Sequence, residues 1–206
     1  MDKLAQLKKL EQEIIGDATL PLQESNLVFG EGNIDCQVMF IGEAPGLTEN
    51  ELRRPFVGRA GKLLDKMIQE IGWQRKDVYI TNIVKRRPPE NRDPLPEEIE
   101  AYKPYLARQI KIIAPKIIAP LGRFSMNYFL PFAKISNAHG RIFDLNEQVI
   151  VPLYHPAAAL RATAMLNDLR ADFKKLPDIV SGKIIVELPK IEMKRKKTAP
   201  PQTKLF

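Results

Sequence analysis

A single cysteine, Cys36, stands in 206 residues, so this chain alone can build neither a disulfide nor a thiolate metal cage. The same scarcity suits a reducing compartment. No apolar run approaches the roughly 20 residues that cross a bilayer. The opening LAQLKKLEQEII is charged and amphipathic, not a basic segment followed by an apolar one. A soluble, cytoplasmic, monomeric protein with no membrane association is expected. Neither GxGxxG nor GxxxxGKS occurs, which argues against a dinucleotide or triphosphate site. Histidine appears only twice, and no internal repeat is visible.

What is present is apolar mass and positive charge. Hydrophobic residues make up 44% of the chain, enough at this length for one sizeable core. Lysine and arginine number 32 against 25 acids, giving +7 and a pI near 9.4, a balance that favours a polyanionic partner. The excess gathers at the end: residues 183–206 hold seven cations and two acids. The expected division is a domain over 1–182 and a basic tail over 183–206, readable as a solvated end or as a nucleic-acid contact.

Periodicity orders the domain. Leu4, Leu7, Leu10, Ile14 and Ile15 share one helical face, and Leu63, Leu64, Met67, Ile68 and Ile71 share another before Gly72. The segment from Pro96 reads as a helix with acids in its first turn and Pro104 as an interruption, and further helices are expected from Arg123 to about Phe132 and from about Pro156 to Lys175. QVMFIG (37–42), VYITNIV (78–84), KIIAPLG (116–122) and QVIVPLY (148–154) read as strands. This alternation predicts an α/β fold, a three-layer α/β/α sandwich with a central four-stranded, mainly parallel sheet. Ligands of such sheets bind at the carboxyl ends of the strands, so GEAPG, the TN–VKRR loop, LGRF and YHP should converge.

Each of those loops is ambiguous alone. GEAPG can be no more than a tight turn. His155 can be an ordinary polar residue or a functional one just past a strand end. Asn82 can cap a loop or read the donor and acceptor edge of a base. Phe56, in RRPFVGRAG, can be core or can stack on a planar ring. Leu160 can face the core or protrude as a wedge.

Together, GEAPG (42–46), RPFVGRAG (54–61), YITNIVK (79–85), RPPENR (87–92) and HPAAALR (155–161), in this order, resemble the family-4 uracil-DNA glycosylases. The resemblance covers about residues 5–175 and implies an enzyme that flips uracil out of DNA and hydrolyses its N-glycosidic bond, leaving an abasic site. It implies that Phe56 stacks on uracil, that Asn82 pairs with its O4 and N3 edge, and that backbone N–H groups around Gly42 and Glu43 bind another oxygen. His155 would hydrogen-bond O2, where charge grows as the bond breaks. Glu43 would position or deprotonate the attacking water. In better-known uracil glycosylases the corresponding loop is GQDPY with a water-activating aspartate, and Ala44 occupies that position here. Lys85, Arg86 and Arg87 are expected to face DNA phosphates, Leu160 to fill the gap left by the flipped base, and Arg161 to hold a phosphate.

The chain also departs from the family. Four cysteines there hold a four-iron four-sulfur cluster; the matching positions here are Asp17, Leu20, Arg86 and Tyr102, so no metal and no cofactor is expected. A substitute packing of Tyr102 with Leu20, with Arg86 facing Asp17 or a DNA phosphate, is expected instead. The segment LTENELR (47–53) replaces a run of acids ending in glycine, which leaves selectivity for uracil open. Lys85-Arg86-Arg87 is followed by Pro88 with no histidine, so covalent trapping of DNA is not expected. The terminal QTKLF resembles the bacterial sliding-clamp-binding pentapeptide, which would place Gln202, Leu205 and Phe206 in a clamp pocket. Two alternatives stay open: a non-catalytic DNA- or clamp-binding relic of the fold, and a glycosylase for another deaminated base such as hypoxanthine.

Overall fold

In the computed structural model, which describes residues 2–184, the four apolar runs form the centre of one sheet. They are β2 (Val38–Gly42), β3 (Tyr79–Asn82), β4 (Ile117–Pro120) and β6 (Gln148–Ile150), and they run parallel in the order β3-β2-β4-β6. Two short antiparallel strands, β1 (Glu31–Gly32) and β5 (Phe143–Leu145), complete the edges, giving six strands. The expected count of four is corrected by these two. β1 is too short to leave a periodic signal. β5 joins β6 through Asn146 and Glu147, both at positive φ, a turn that asparagine announces but glutamate does not.

Strands β2, β3 and β4 are buried on both faces, and their residues alternate between two cores. Met39, Ile41, Tyr79 and Ile118 pack with Leu7, Leu10 and Ile14 of α1 (Lys3–Gly16) and with Tyr102, Leu106 and Ile113 of α4 (Pro96–Ile113). Val38, Phe40, Ile80 and Ala119 pack with Leu64, Met67 and Ile68 of α3 (Arg59–Glu70) and with Leu169 and Phe173 of α8 (Thr163–Phe173). Short helices complete each helical layer: α5 (Arg123–Phe129) and α6 (Ile135–Ala138) on the first face, α9 (Leu176–Val180) on the second. Two further helices, α2 (Leu47–Leu52) and α7 (Pro156–Ala159), sit over the carboxyl ends of the strands.

Two helical expectations are corrected. Pro104 does not interrupt α4, because it lies on the exposed side, where the carbonyl it leaves unpaired meets water. The helix expected from Pro156 to Lys175 is broken at residues 160–162, which leaves Leu160 44% exposed.

The segment between α1 and β1 is tied to α4 by side chains. The Tyr102 hydroxyl, on a fully buried ring, donates to the Pro21 carbonyl at 2.8 Å, and Tyr105 donates to the Asp17 carboxylate that ends α1. Gln23 Nε2 donates back to the Asp17 and Leu20 carbonyls. Within the basic tail, only Lys183 and Ile184 are among the described residues; the clamp-motif residues Gln202, Leu205 and Phe206 lie outside them. No helix among the described residues is long and apolar enough to cross a membrane.

Replacing Tyr102 separates its two contributions. Tyr102→Phe should lower unfolding stability by about 1 kcal/mol for the lost hydrogen bond, and Tyr102→Ala by about 3–5 kcal/mol for the cavity as well. Chemical denaturation of both variants measures the difference.

Candidate active site

At the carboxyl ends of the parallel strands lies a cavity of about 350 Å³ lined by Glu43, Phe56, Asn82, His155 and Arg161. The sheet register produces this convergence: Gly42 is paired with Asn82 across β2 and β3, and Leu121 bridges Leu153 just before the loop that carries His155. The two strand extensions are held in step, since Ile83 and Val84 donate to the carbonyls of Gly42 and Glu43 at 3.0 Å.

Gly42 is a matter of space, not of turn geometry. A Cβ there would stand 2.4 Å from Asn82 Oδ1 and 2.5 Å from the Phe56 ring. Only glycine lets the amide and the ring meet over the strand end, so the first glycine of GEAPG belongs to the pocket wall.

Phe56 is buried and sits at φ +50°, a left-handed conformation that strains a residue of its size by about 1–3 kcal/mol. Three contacts hold it. Arg75 Nη1 donates to the Phe56 carbonyl at 3.1 Å, and Arg75 is itself held by Glu31 and Asp65. Glu49 of α2 accepts from the Val57 and Gly58 N–H groups at 2.9 and 2.8 Å. Gly61 of α3 leaves room for the Phe56 carbonyl, which a Cβ would approach to 1.9 Å. The ring then faces His155, centroid to centroid at 5.6 Å.

His155 accepts a hydrogen bond at Nδ1 from the Ala157 N–H, at 3.1 Å, so its proton sits on Nε2. Burial pushes its pKa down to about 4, which keeps the ring neutral through the physiological range. Burial acts oppositely on Glu43, pushing its carboxyl up to about 7, with the Asp93 charge adding to the rise and Arg123 opposing it. Asn82 is 1% exposed, and its Oδ1 has no hydrogen-bond partner. An orphaned acceptor in a pocket wall is suited to a ligand N–H.

The expected DNA contacts divide. Leu160 and Arg161 are exposed, with Arg161 on the cavity wall. Arg87 is half-buried and donates to Asn91 Oδ1 at 2.7 Å. Lys85 and Arg86 do not face phosphates. Lys85 is fully buried and bonded to Thr81 and Gln109. Arg86 is buried and donates to the Ser25 carbonyl, with its Nε unpaired. Nor does Arg86 meet Asp17, which is taken by Thr19 and Tyr105. Tyr102 and Leu20 do share one core.

These residues do not fit an iron–sulfur cluster. Asp17, Leu20, Arg86 and Tyr102 offer no thiolate, and their side chains are spent on hydrogen bonds or packing. Cys36 lies buried in the core with its thiol pushed up to about 11 by desolvation, the reverse of a ligand's requirement.

Sequence reading missed the supports: Glu49, which fixes the Phe56 loop, and Arg75, which does so from beyond α3. It also missed Asn91, Arg92 and Asp93, which line the cavity from the proline-rich loop, and Arg123, which pairs with Asp93 at 2.6 Å. The ENRD run was a visible signal for the loop residues. Nothing local marks Arg75.

Comparison with known proteins gives the family of the chain. The family model of the uracil DNA glycosylase superfamily matches residues 29–176. A type-4 uracil-DNA glycosylase of Sulfurisphaera tokodaii is 45% identical over 185 residues, spanning 84% of each chain. One from Saccharolobus solfataricus is 46% identical over 170 residues, or 78% of this chain and 79% of the relative. One from Archaeoglobus fulgidus is 41% identical over 169 residues, or 78% and 85%.

Gly42→Ala should leave the fold intact but push Asn82 and Phe56 apart. Turnover on the cavity's ligand is expected to fall by about 10²-fold, with the thermal midpoint lowered by a few degrees; steady-state kinetics and thermal melting check both.

Proposed function

Since this chain belongs to the uracil DNA glycosylase superfamily and to its type-4 group, we propose that it excises uracil from DNA by N-glycosidic hydrolysis, leaving an abasic site. The observation that carries this reading is the orphaned Asn82 Oδ1 beside Phe56 and the neutral His155. Uracil presents an N3–H to such an acceptor and a carbonyl O4 to the same amide's N–H, and its flat ring stacks on Phe56.

The chemistry follows from these positions. As the C1′–N1 bond breaks, its electron pair passes to uracil and spreads onto O2. There the Nε2–H of His155 donates to the developing oxyanion, an interaction stronger in the transition state than before it. The sugar becomes oxocarbenium-like, water adds to C1′, and its proton leaves to Glu43 or to solvent. Ala44 offers no second carboxylate in this loop, so Glu43 is the group available for that task. Leu160 enters the gap left by the flipped nucleotide, and Arg87 and Arg161 take phosphates. The protein works in the cytoplasm as a monomer without a metal or other cofactor, and its purified form contains no stoichiometric iron. The domain ends near residue 182, and the basic segment beyond it tethers the terminal QTKLF to a sliding clamp through Gln202, Leu205 and Phe206, raising the local concentration of enzyme at replicated DNA.

Oligonucleotides carrying uracil, hypoxanthine or thymine, cleaved by alkali after incubation, test the activity. Cleavage at uracil alone supports the proposal; cleavage at hypoxanthine alone, or at neither base, overturns it. The pH profile tests the roles. A Glu43 carboxyl raised to about 7 loses its proton as pH climbs through neutrality, so the single-turnover rate should rise with a midpoint near pH 7. Glu43→Gln should flatten that limb, and both this change and His155→Ala should lower the rate by about 10²-fold or more while retaining DNA affinity. Deletion of residues 202–206 should abolish clamp binding measured by surface plasmon resonance without altering uracil release.

A further inference from the structure

Lys85 is a fully buried lysine bonded to neutral partners. Its Nζ donates to Thr81 Oγ1 and to Gln109 Oε1, each at 2.6 Å, and lies 6.0 Å from the centre of the Phe29 ring. Thr81 in turn donates to the Phe29 carbonyl at 2.7 Å, and Gln109 Nε2 donates to the same carbonyl and to the Tyr79 hydroxyl, both at 3.1 Å. The Lys85 carbonyl accepts from Val28 N at 2.8 Å. Burial drives the pKa of the amine down, and its Nζ spends two N–H donors on the two acceptors it meets.

The lysine reaches back four residues along its own chain, and between the two ends of that link stands Asn82. Thr81 points toward α4 and Asn82 toward Phe56, since neighbours on a strand face opposite ways. The Asn82 Oδ1 has no partner of its own to hold it. Its direction rests on packing against Gly42 and Phe56 and on its backbone, which is paired with β2 and adjoins the Thr81 that Lys85 holds.

We propose that Lys85 is a positioning residue for uracil recognition: by closing residues 81–85 into a bracket against Gln109, it aims the Asn82 amide into the base pocket. The role presupposes uracil excision by this pocket. It explains why an amine serves here better than an apolar side chain of equal length. The Thr81 hydroxyl also reaches Gln109 Oε1, at 3.4 Å, and both residues donate to the Phe29 carbonyl, so what the amine adds is the tie of residue 85 to that pair; a methionine would remove it together with both 2.6 Å hydrogen bonds.

The test is Lys85→Met in the full-length enzyme, a change that keeps volume and removes the donors. Single-turnover uracil release should fall by about 10²-fold, the effect of a displacement on the order of 1 Å. Inhibition by free uracil should weaken in the same proportion, while affinity for abasic-site DNA stays at the wild-type value. Wild-type rate and uracil inhibition in Lys85→Met would overturn the proposal. A parallel loss of abasic-DNA affinity would also overturn it, because that pattern marks a general loss of core packing. Should Lys85→Met not fold, Thr81→Val and Thr81→Ser decide the matter. Val, which removes the hydroxyl, should reproduce the loss, Ser should restore activity, and equal activity in both would sink the idea. Absence of uracil release by the wild-type enzyme would defeat the functional proposal instead, so the two failures are distinguishable.

Discussion

The meeting of Gly42, Asn82 and Phe56 at the ends of β2 and β3 is the contact on which the pocket depends. It requires the parallel register that sets Gly42 beside Asn82, the missing side chain at position 42, and a phenylalanine held in a left-handed backbone conformation. The last of these is unfavourable by itself and persists because Arg75, Glu49 and Gly61 close around it. Residues as distant as Glu31 and Asp65 therefore bear on the pocket through Arg75, although neither lines it.

Burial gives the two candidate catalytic groups opposite characters from one cause. Desolvation disfavours charge, so it lowers the pKa of His155 and raises that of Glu43. A neutral histidine with its proton fixed on Nε2 donates throughout the reaction without needing to be recharged. A carboxyl poised near neutrality can accept a proton from water. The same penalty lowers the pKa of Lys85, so a residue type that usually marks a phosphate contact serves as a hydrogen-bond donor inside the core.

The segment from Asp17 to Ser25 shows how a chain without thiolates secures a loop. Tyr102, Tyr105 and Arg86 reach its carbonyls and its carboxylate from α4 and the loop after β3, and Gln23 folds back onto it from within. Several modest hydrogen bonds, each worth about 1 kcal/mol net, anchored by a buried aromatic ring, replace one strong centre.

Much was legible in the sequence. Continuous apolar runs located the four parallel strands, because strands buried on both faces need no alternation, and helical spacing located α1, α3 and α4. Loop motifs singled out Gly42, Glu43, Phe56, Asn82 and His155, and all five meet at one end of the sheet. Local patterning carries this information because periodicity and strand-end motifs are short-range properties. Only the tertiary structure decided where Lys85 and Arg86 point, that the last long helix breaks at Leu160, and that Arg75 and Glu49 hold the aromatic wall. Those outcomes turn on partners 4 to 61 residues apart and on which face of irregular backbone meets the core. A basic triplet reads the same whether its cations meet solvent or the interior; packing alone distinguishes the two.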